Sequence, residues 1–132
     1  MPYLLDTNVV SDLVRNPRGR VAEHIHQVGE AQVHTSIIVA AELRYGAAKR
    51  AYSRLAMQLD RVLGVLDVLP FEVPADTVYG QIRSRLEQIG RPIGGNDLLI
   101  AAQAVALGYI VVTDNEGEFS RIDGLRCENW LR

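Results

Sequence analysis

Tyr3-Leu4-Leu5-Asp6-Thr7-Asn8 is a short apolar run that ends in a carboxylate, a hydroxyl and an amide. Three more acids stand out. Glu42 sits beside the apolar stripe of a helical pattern, where a solvated glutamate would not ordinarily fall. Asp97 follows the flexible turn Gly94-Gly95-Asn96, and Asp114 follows the β-branched run Tyr109-Ile110-Val111-Val112-Thr113. Carboxylates brought together raise one another's pKa. An unpaired aspartate buried at the end of a core strand costs several kcal/mol. A hard divalent cation relieves both penalties. Mg²⁺ and Mn²⁺ take oxygen ligands, often one or two carboxylates completed by waters and substrate phosphates. Such an ion brings a bound water toward ionisation near neutral pH, and a pair of ions ~3.5–4 Å apart also stabilises the leaving oxygen of a phosphodiester. The chemistry available to Asp6, Glu42, Asp97 and Asp114 is metal-assisted attack on a phosphate.

For these acids to meet, the elements between them must bring them to one place. Tyr3 to Leu5 forms a first strand, followed by a helix from about Val9 to Val14. Asn16-Pro17-Arg18-Gly19 stops that helix with turn chemistry. Val21 to Val28 forms a second helix, closed by Gly29. Ala31 to Thr35 is expected as a strand. Ser36 is the N-cap of a helix from Ile37 to about Arg50, whose expected buried stripe is Ile38, Ala41, Tyr45 and Ala48. A further helix runs from Tyr52 to about Gly64 with Leu55, Leu59 and Val62 on one face. The apolar faces around Tyr45, Leu55 and Leu59 are expected to bury surface against a second copy.

Asp67 to Phe71 is a short strand. Pro74 opens a helix carrying Val78, Ile82, Leu86 and Ile89. The helix after Asp97 holds so many alanines and leucines that it should be buried on most sides; Gly108 ends it. Tyr109 to Thr113 is a strand of the buried parallel kind, and Leu125 to Trp130 is a short last strand. This alternation predicts an α/β protein, a three-layer α/β/α sandwich around a mainly parallel sheet, in a single domain spanning residues 1–132. Right-handed crossovers gather the strand C-termini at one edge, where open α/β sheets bind their ligands. Asp6 and Asp114 then share a rim, and the helix bearing Asp97 starts near it.

A chain of 132 residues fits one domain and buries enough surface for its own core. Its 48% hydrophobic and 23% charged residues are those of an ordinary globular protein. The net charge of −2 neither announces nor excludes a nucleic-acid partner, since local patches decide that. Lys49 is the only lysine; every other cation is arginine, the residue suited to bidentate phosphate contacts. Cys127 is the only cysteine, so no intrachain disulfide forms, and it reads as a small apolar residue. His24, His26 and His34 lack metal-ligand spacing with the acids. There is no signal-peptide pattern and no apolar run of the ~18 residues a membrane span needs. The expected location is the cytoplasm.

Each feature also has a plainer explanation. Asp6-Thr7-Asn8 and Asn96-Asp97 are good helix caps. Glu42 could pair with a neighbouring arginine, and Asp114-Asn115 could be a turn. Arg83, Arg85 and Arg91 could guide substrate phosphates or form a solvated face. Trp130 is a core residue sooner than a base-stacking platform. Convergence of the acids in one fold is what favours the metal.

The blocks Leu4-Leu5-Asp6-Thr7-Asn8, Ala41-Glu42-Leu43-Arg44-Tyr45-Gly46-Ala47, Gly90-Arg91-Pro92-Ile93-Gly94 with Asp97-Leu98-Leu99-Ile100-Ala101-Ala102, and Val112-Thr113-Asp114-Asn115 with Glu118-Phe119 occur in that order. Together they resemble the PIN-domain nucleases, and closely the VapC-type toxins of toxin–antitoxin pairs. The resemblance implies Asp6 and Asp97 as principal Mg²⁺ ligands, with Mn²⁺ as a substitute. It makes Glu42 a further ligand or a holder of water, and either Asp114 or Glu118 the fourth acid. It gives Thr7, Asn8, Thr113 and Asn115 orienting roles. It further implies endonucleolytic cleavage of single-stranded or loop RNA, tRNA among the substrates. A homodimer, and an antitoxin whose tail enters the acidic groove, are also implied.

Three competitors can be weighed. A phosphatase of the haloacid dehalogenase type needs an aspartate where Asn8 stands and a later lysine, for which mid-helix Lys49 is badly placed. A response-regulator receiver needs a lysine after a late strand, and none follows Lys49. A non-catalytic PIN-like module gripping a peptide would have no need of intact acids.

Overall fold

The computed structural model describes residues 1–51 and 53–132. Five strands form one sheet: β1 (Tyr3–Leu5), β2 (Val33–Ser36), β3 (Asp67–Leu69), β4 (Ile110–Val112) and β5 (Cys127–Glu128). Their spatial order is β3-β2-β1-β4-β5, and every neighbouring pair is parallel. The helices are α1 (Thr7–Arg15), α2 (Arg20–Val28), α3 (Ile37–Arg50), α4 (Ser53–Val65), α5 (Ala75–Gln88), α6 (Gly95–Leu107) and α7 (Glu116–Phe119). Helices α1 to α4 pack on one another, and α5 and α6 pack as a pair. The chain moves one way across the sheet from β1 to β3 and the other way from β3 to β5, so right-handed crossovers set the two groups on opposite faces. The expected three-layer α/β/α fold is what the chain adopts.

Central strands β1 and β4 are short, apolar and buried. Leu4, Leu5, Val111 and Val112 are fully enclosed, as are Val9 and Val10 of α1. Helix α6 is buried on most sides, as its composition predicts, through Leu98, Ile100, Ala101, Ala102, Gln103 and Ala104. Gln103 is the polar member: its Nε2 donates to the carbonyls of Leu69 at 3.3 Å and Pro70 at 2.9 Å, tying the exit of β3 to α6. Gly108 ends α6 at φ 73°, a conformation that a side chain would strain.

Several local expectations need correction. Helix α1 starts at Thr7, because Asp6 accepts the Thr7 N–H at 2.7 Å and caps it. Ala31 and Gln32 belong to a 3₁₀ turn, Glu30–Gln32, closed by Gln32 N–H on the Gly29 carbonyl at 3.0 Å; β2 begins only at Val33. On α3 the buried residues are Val39, Ala40 and Ala47. Ala41, Tyr45 and Ala48 face solvent, because α3 packs between α1, α4 and α6 and apolar residues surround it. The Tyr45 ring is 67% exposed, with the Lys49 ammonium 5.9 Å from its centroid. Of the residues expected to face a second copy, Leu59 lies in the chain's own core, Leu55 is half-buried and Tyr45 is exposed. Ile89 is exposed. The helix expected from Tyr52 is α4, with Tyr52 itself outside the described residues.

Candidate active site

The chain reverses its direction across the sheet between β1 and β4, and open α/β sheets bind ligands in the crevice at such a switch point. Leu5 pairs with Val112 there, and the Asp6 N–H donates to the Val112 carbonyl at 2.9 Å. The next residues, Asp6 and Thr113, are thus delivered side by side at the C-terminal edge. Asp6 is 3% exposed. Its Oδ1 accepts from Thr7 N–H and its Oδ2 from the Thr113 hydroxyl, both at 2.7 Å. Thr113 Oγ1 in turn accepts the Asn115 N–H at 2.9 Å.

From there the network crosses to α6 and α7. Asn115 Nδ2 donates to Asp97 Oδ2 at 2.9 Å and also to the Glu118 carboxylate. Glu118 Oε1 accepts the Gly94 N–H at 2.7 Å, which pins the start of α6, and with it Asp97, to α7. On the other side Thr7 Oγ1 donates to Glu42 Oε1 at 2.7 Å, tying α1 to α3. Asn8 Nδ2 donates to Asp114 Oδ1 at 3.0 Å on the exposed rim. Every acid and orienting residue expected from the sequence therefore enters one neighbourhood, through links among Asp6, Thr7, Glu42, Thr113, Asn115, Asp97 and Glu118 and the rim pair Asn8–Asp114. The capping explanation holds for Asp6 alongside its place in the network. It does not hold for Asp97, which lies inside the first turn of α6, where no side chain caps the helix.

The electrostatics are those of excess negative charge. Burial raises the Asp6 pKa, opposed by the hydrogen bonds from Thr113 and Thr7 and reinforced by the charges of Glu42 and Asp114. Burial, then hydrogen bonding with Glu118, then the charges of Asp6 and Glu118 push Asp97 up to about 7. Glu118 goes the other way, held low first by its hydrogen bond with Asp97 and then by the Gly94 N–H. The two carboxylates are thus pushed in opposite directions, Asp97 up and Glu118 down. Ion pairs among the described residues lie elsewhere: His34–Asp67, Arg44–Asp60, Arg83–Glu87 and Arg132–Glu116.

A cation would supply what the network lacks. The donors are carboxylate, hydroxyl and amide oxygens, which suit a hard ion. Among the described residues no three His, Cys, Asp or Glu side chains form a closed cage. An ion held here would take one or two carboxylates and complete its shell with waters. Asp6 and Asp97 fit as those carboxylates: each is raised in pKa without a cation, and each is oriented by a hydrogen bond from a neighbouring side chain.

The arginines expected to meet RNA are placed less decisively. Arg83 donates to Glu87 and to the Tyr79 hydroxyl, both at 3.0 Å, within its own helix. Arg85 and Arg91 are exposed. A residue the sequence did not single out is Arg121. Its Nη1 donates to the Pro92 carbonyl at 2.8 Å and its charge helps hold Glu118 low, so it braces the loop that leads into α6. A lone arginine in a C-terminal loop carries no pattern that would have found it.

The PIN domain model matches residues 3–125, a span that contains all five acids. The chain belongs to the PIN-domain family. Among curated PIN relatives, the tRNA(fMet)-specific endonuclease VapC of Shigella flexneri is 35% identical over 131 residues, covering 98% of each chain. Ribonuclease VapC2 of Rickettsia felis is 36% identical over 132 residues, again covering 98% of each. Among solved structures, VapBC2 from Rickettsia felis bound to a DNA fragment from their promoter superposes on this PIN chain with a TM-score of 0.91, at 35% identity over 98% of this chain and 99% of that one. DNA-bound VapBC from Salmonella typhimurium gives 0.86, at 34% identity over 98% of each.

Proposed function

We propose that Asp6 and Asp97 hold Mg²⁺, with Mn²⁺ as a substitute, and that the chain uses it to cleave single-stranded or loop RNA, tRNA among its substrates. The chain is an endoribonuclease toxin of the PIN family, and its relatives carry out ribonuclease or endonuclease activity under the VapC name. The observation that carries the site assignment is the hydrogen-bonded convergence of buried Asp6 with half-buried Asp97, Glu42 and Glu118, none of which is in a salt bridge among the described residues. When bound, the ion supplies Lewis acidity, polarising a phosphoryl oxygen and making water a nucleophile near neutral pH. The residues do the rest. Thr7 and Thr113 fix both oxygens of Asp6. Asn115 orients Asp97 and Glu118 together. Glu42, steadied by the Thr7 hydroxyl, is placed to hold water or a further ligand. Glu118 is the better-connected fourth acid, and Asp114 lines the rim. The raised pKa of Asp97 makes metal loading proton-linked.

An antitoxin partner fits the VapBC complexes among the structural relatives; its tail would occupy the acidic groove of a homodimeric toxin working in the cytoplasm. No helix among the described residues is long and apolar enough to cross a membrane. The test is RNA cleavage by the purified chain with Mg²⁺, with Mn²⁺ and with chelator. Cleavage should need the metal and disappear in Asp6→Asn and Asp97→Asn. Metal-independent cleavage, or full activity in either variant, would remove the proposed site.

A further inference from the structure

RNA approaching a pocket of carboxylates needs cations close by, and Arg83 is already engaged by Glu87. At the far end of α1 the turn into α2 forms an open cleft of about 520 Å³ whose wall carries Arg15, Arg18 and Arg20. All three are exposed, and none has an acid within 4.0 Å among the described residues. Asp12 is the one acid on that wall, and its Oδ1 is occupied by Asn16 Nδ2 at 3.0 Å. Three guanidinium groups thus face one carboxylate.

Arg15 joins this cleft to a second groove, which runs between α1, α3 and α4. That groove is lined by Arg15, Arg50 and Glu42 of the acid network together with apolar side chains, Leu43, Leu55 and Leu59 among them. Arg15 is the residue common to both, and along α1 it lies about 12 Å from Thr7, the partner of Glu42, for eight residues of helical rise. The guanidinium fork matches phosphate oxygens two at a time.

We propose that the Arg15–Arg18–Arg20 cleft anchors the phosphodiester backbone of the RNA substrate a few nucleotides from the bond that is cut. This rests on the ribonuclease reading of the acid network. The probe is a single-stranded RNA oligonucleotide titrated across a salt series onto the full-length chain. Binding is measured in an Asp97→Asn background and cleavage in the wild-type background, with and without Arg18→Gln/Arg20→Gln. Both arginines are exposed, and circular dichroism checks the fold. Losing two contacts should make the slope of log affinity against log salt shallower by about 1.4 for a single strand. KM should rise more for the long RNA than for a trinucleotide that reaches only the acids.

An unchanged slope and an unchanged KM ratio, with wild-type cleavage intact, would overturn the cleft and leave the ribonuclease reading standing. A changed slope in a protein that cuts no RNA would overturn the proposal together with the ribonuclease reading, since the RNA would be bound without being a substrate. Weakened binding of an acidic peptide with RNA affinity unmoved would assign the cleft to a protein partner and overturn the proposal.

Discussion

Thr113 is fully buried and its hydroxyl works twice, donating to Asp6 Oδ2 and accepting from Asn115 N–H. Thr113→Val keeps the shape and removes both links. Groups that orient metal ligands typically cost 10- to 100-fold in affinity or activity when lost (~10–100), so a drop of that order in Mg²⁺ affinity or cleavage rate is expected, read by metal titration of activity. Asp97 carries a pH signature. Folded, it holds a proton up to about 7, whereas its ordinary value is 3.8. Between those values the native state binds more protons than the unfolded chain, so stability falls as pH rises. Asp6, also raised, slopes the same way. Glu118 is lowered, so its contribution is present above its ordinary 4.5 and is lost only below it. The interval from 4.5 to about 7 therefore belongs to Asp97 among the paired acids. The Tm of metal-free protein should decline across that interval, and Asp97→Asn should flatten the decline. A wild-type profile as flat as the variant's would contradict the raised pKa of Asp97.

At the scale of elements, α6 both positions Asp97 and fills the core, and Gln103 is where it grips the sheet. Gln103→Leu would leave the Leu69 and Pro70 carbonyls without their donor, although it would also remove the buried Oε1 that has no partner. Both bonds are only part-buried and the freed carbonyls can turn to water, so urea unfolding should show a loss below the ~1–3 kcal/mol of a fully buried stranded group and an unchanged m-value. Helix α6 was legible beforehand because its apolar residues are continuous and glycines bracket it. Strands β1 and β4 were legible because uninterrupted apolar runs end in polar residues. The buried face of α3 was not: Val39, Ala40 and Ala47 compete with Ile38, Ala41 and Ala48 around one helix, and periodicity cannot choose when three neighbours pack on it. Asp6, Asp97 and Asp114 were legible from the breaks they occupy and Glu42 from its place beside an apolar stripe, whereas Glu118 came only from the resemblance to the PIN-domain nucleases. The links made by Asn115 and the brace from Arg121 were not, because each depends on loops from separate elements meeting in space.

At the scale of the whole molecule, the acid network costs the metal-free protein stability. Asp6 is buried at 3% exposure, with its pKa raised by that burial and by the charges of Glu42 and Asp114. Asp6→Asn keeps an oxygen to accept the Thr7 N–H and discards the charge, so the metal-free variant should melt above wild type. A ligand that binds only the native state adds about 2.7 kcal/mol at a hundredfold excess over its Kd. Wild type should thus gain stability when Mg²⁺ is added, and Asp6→Asn should gain almost none. The two proteins then separate activity from folding inside a cell. Expressed alone, wild type should arrest growth, while the more stable Asp6→Asn accumulates without doing so. Arrest by Asp6→Asn at equal abundance would mean that the toxicity does not run through this acid. If Asp6→Asn melts below wild type without metal, the buried charge is not the destabilising element proposed here, and loss of arrest could then reflect loss of fold.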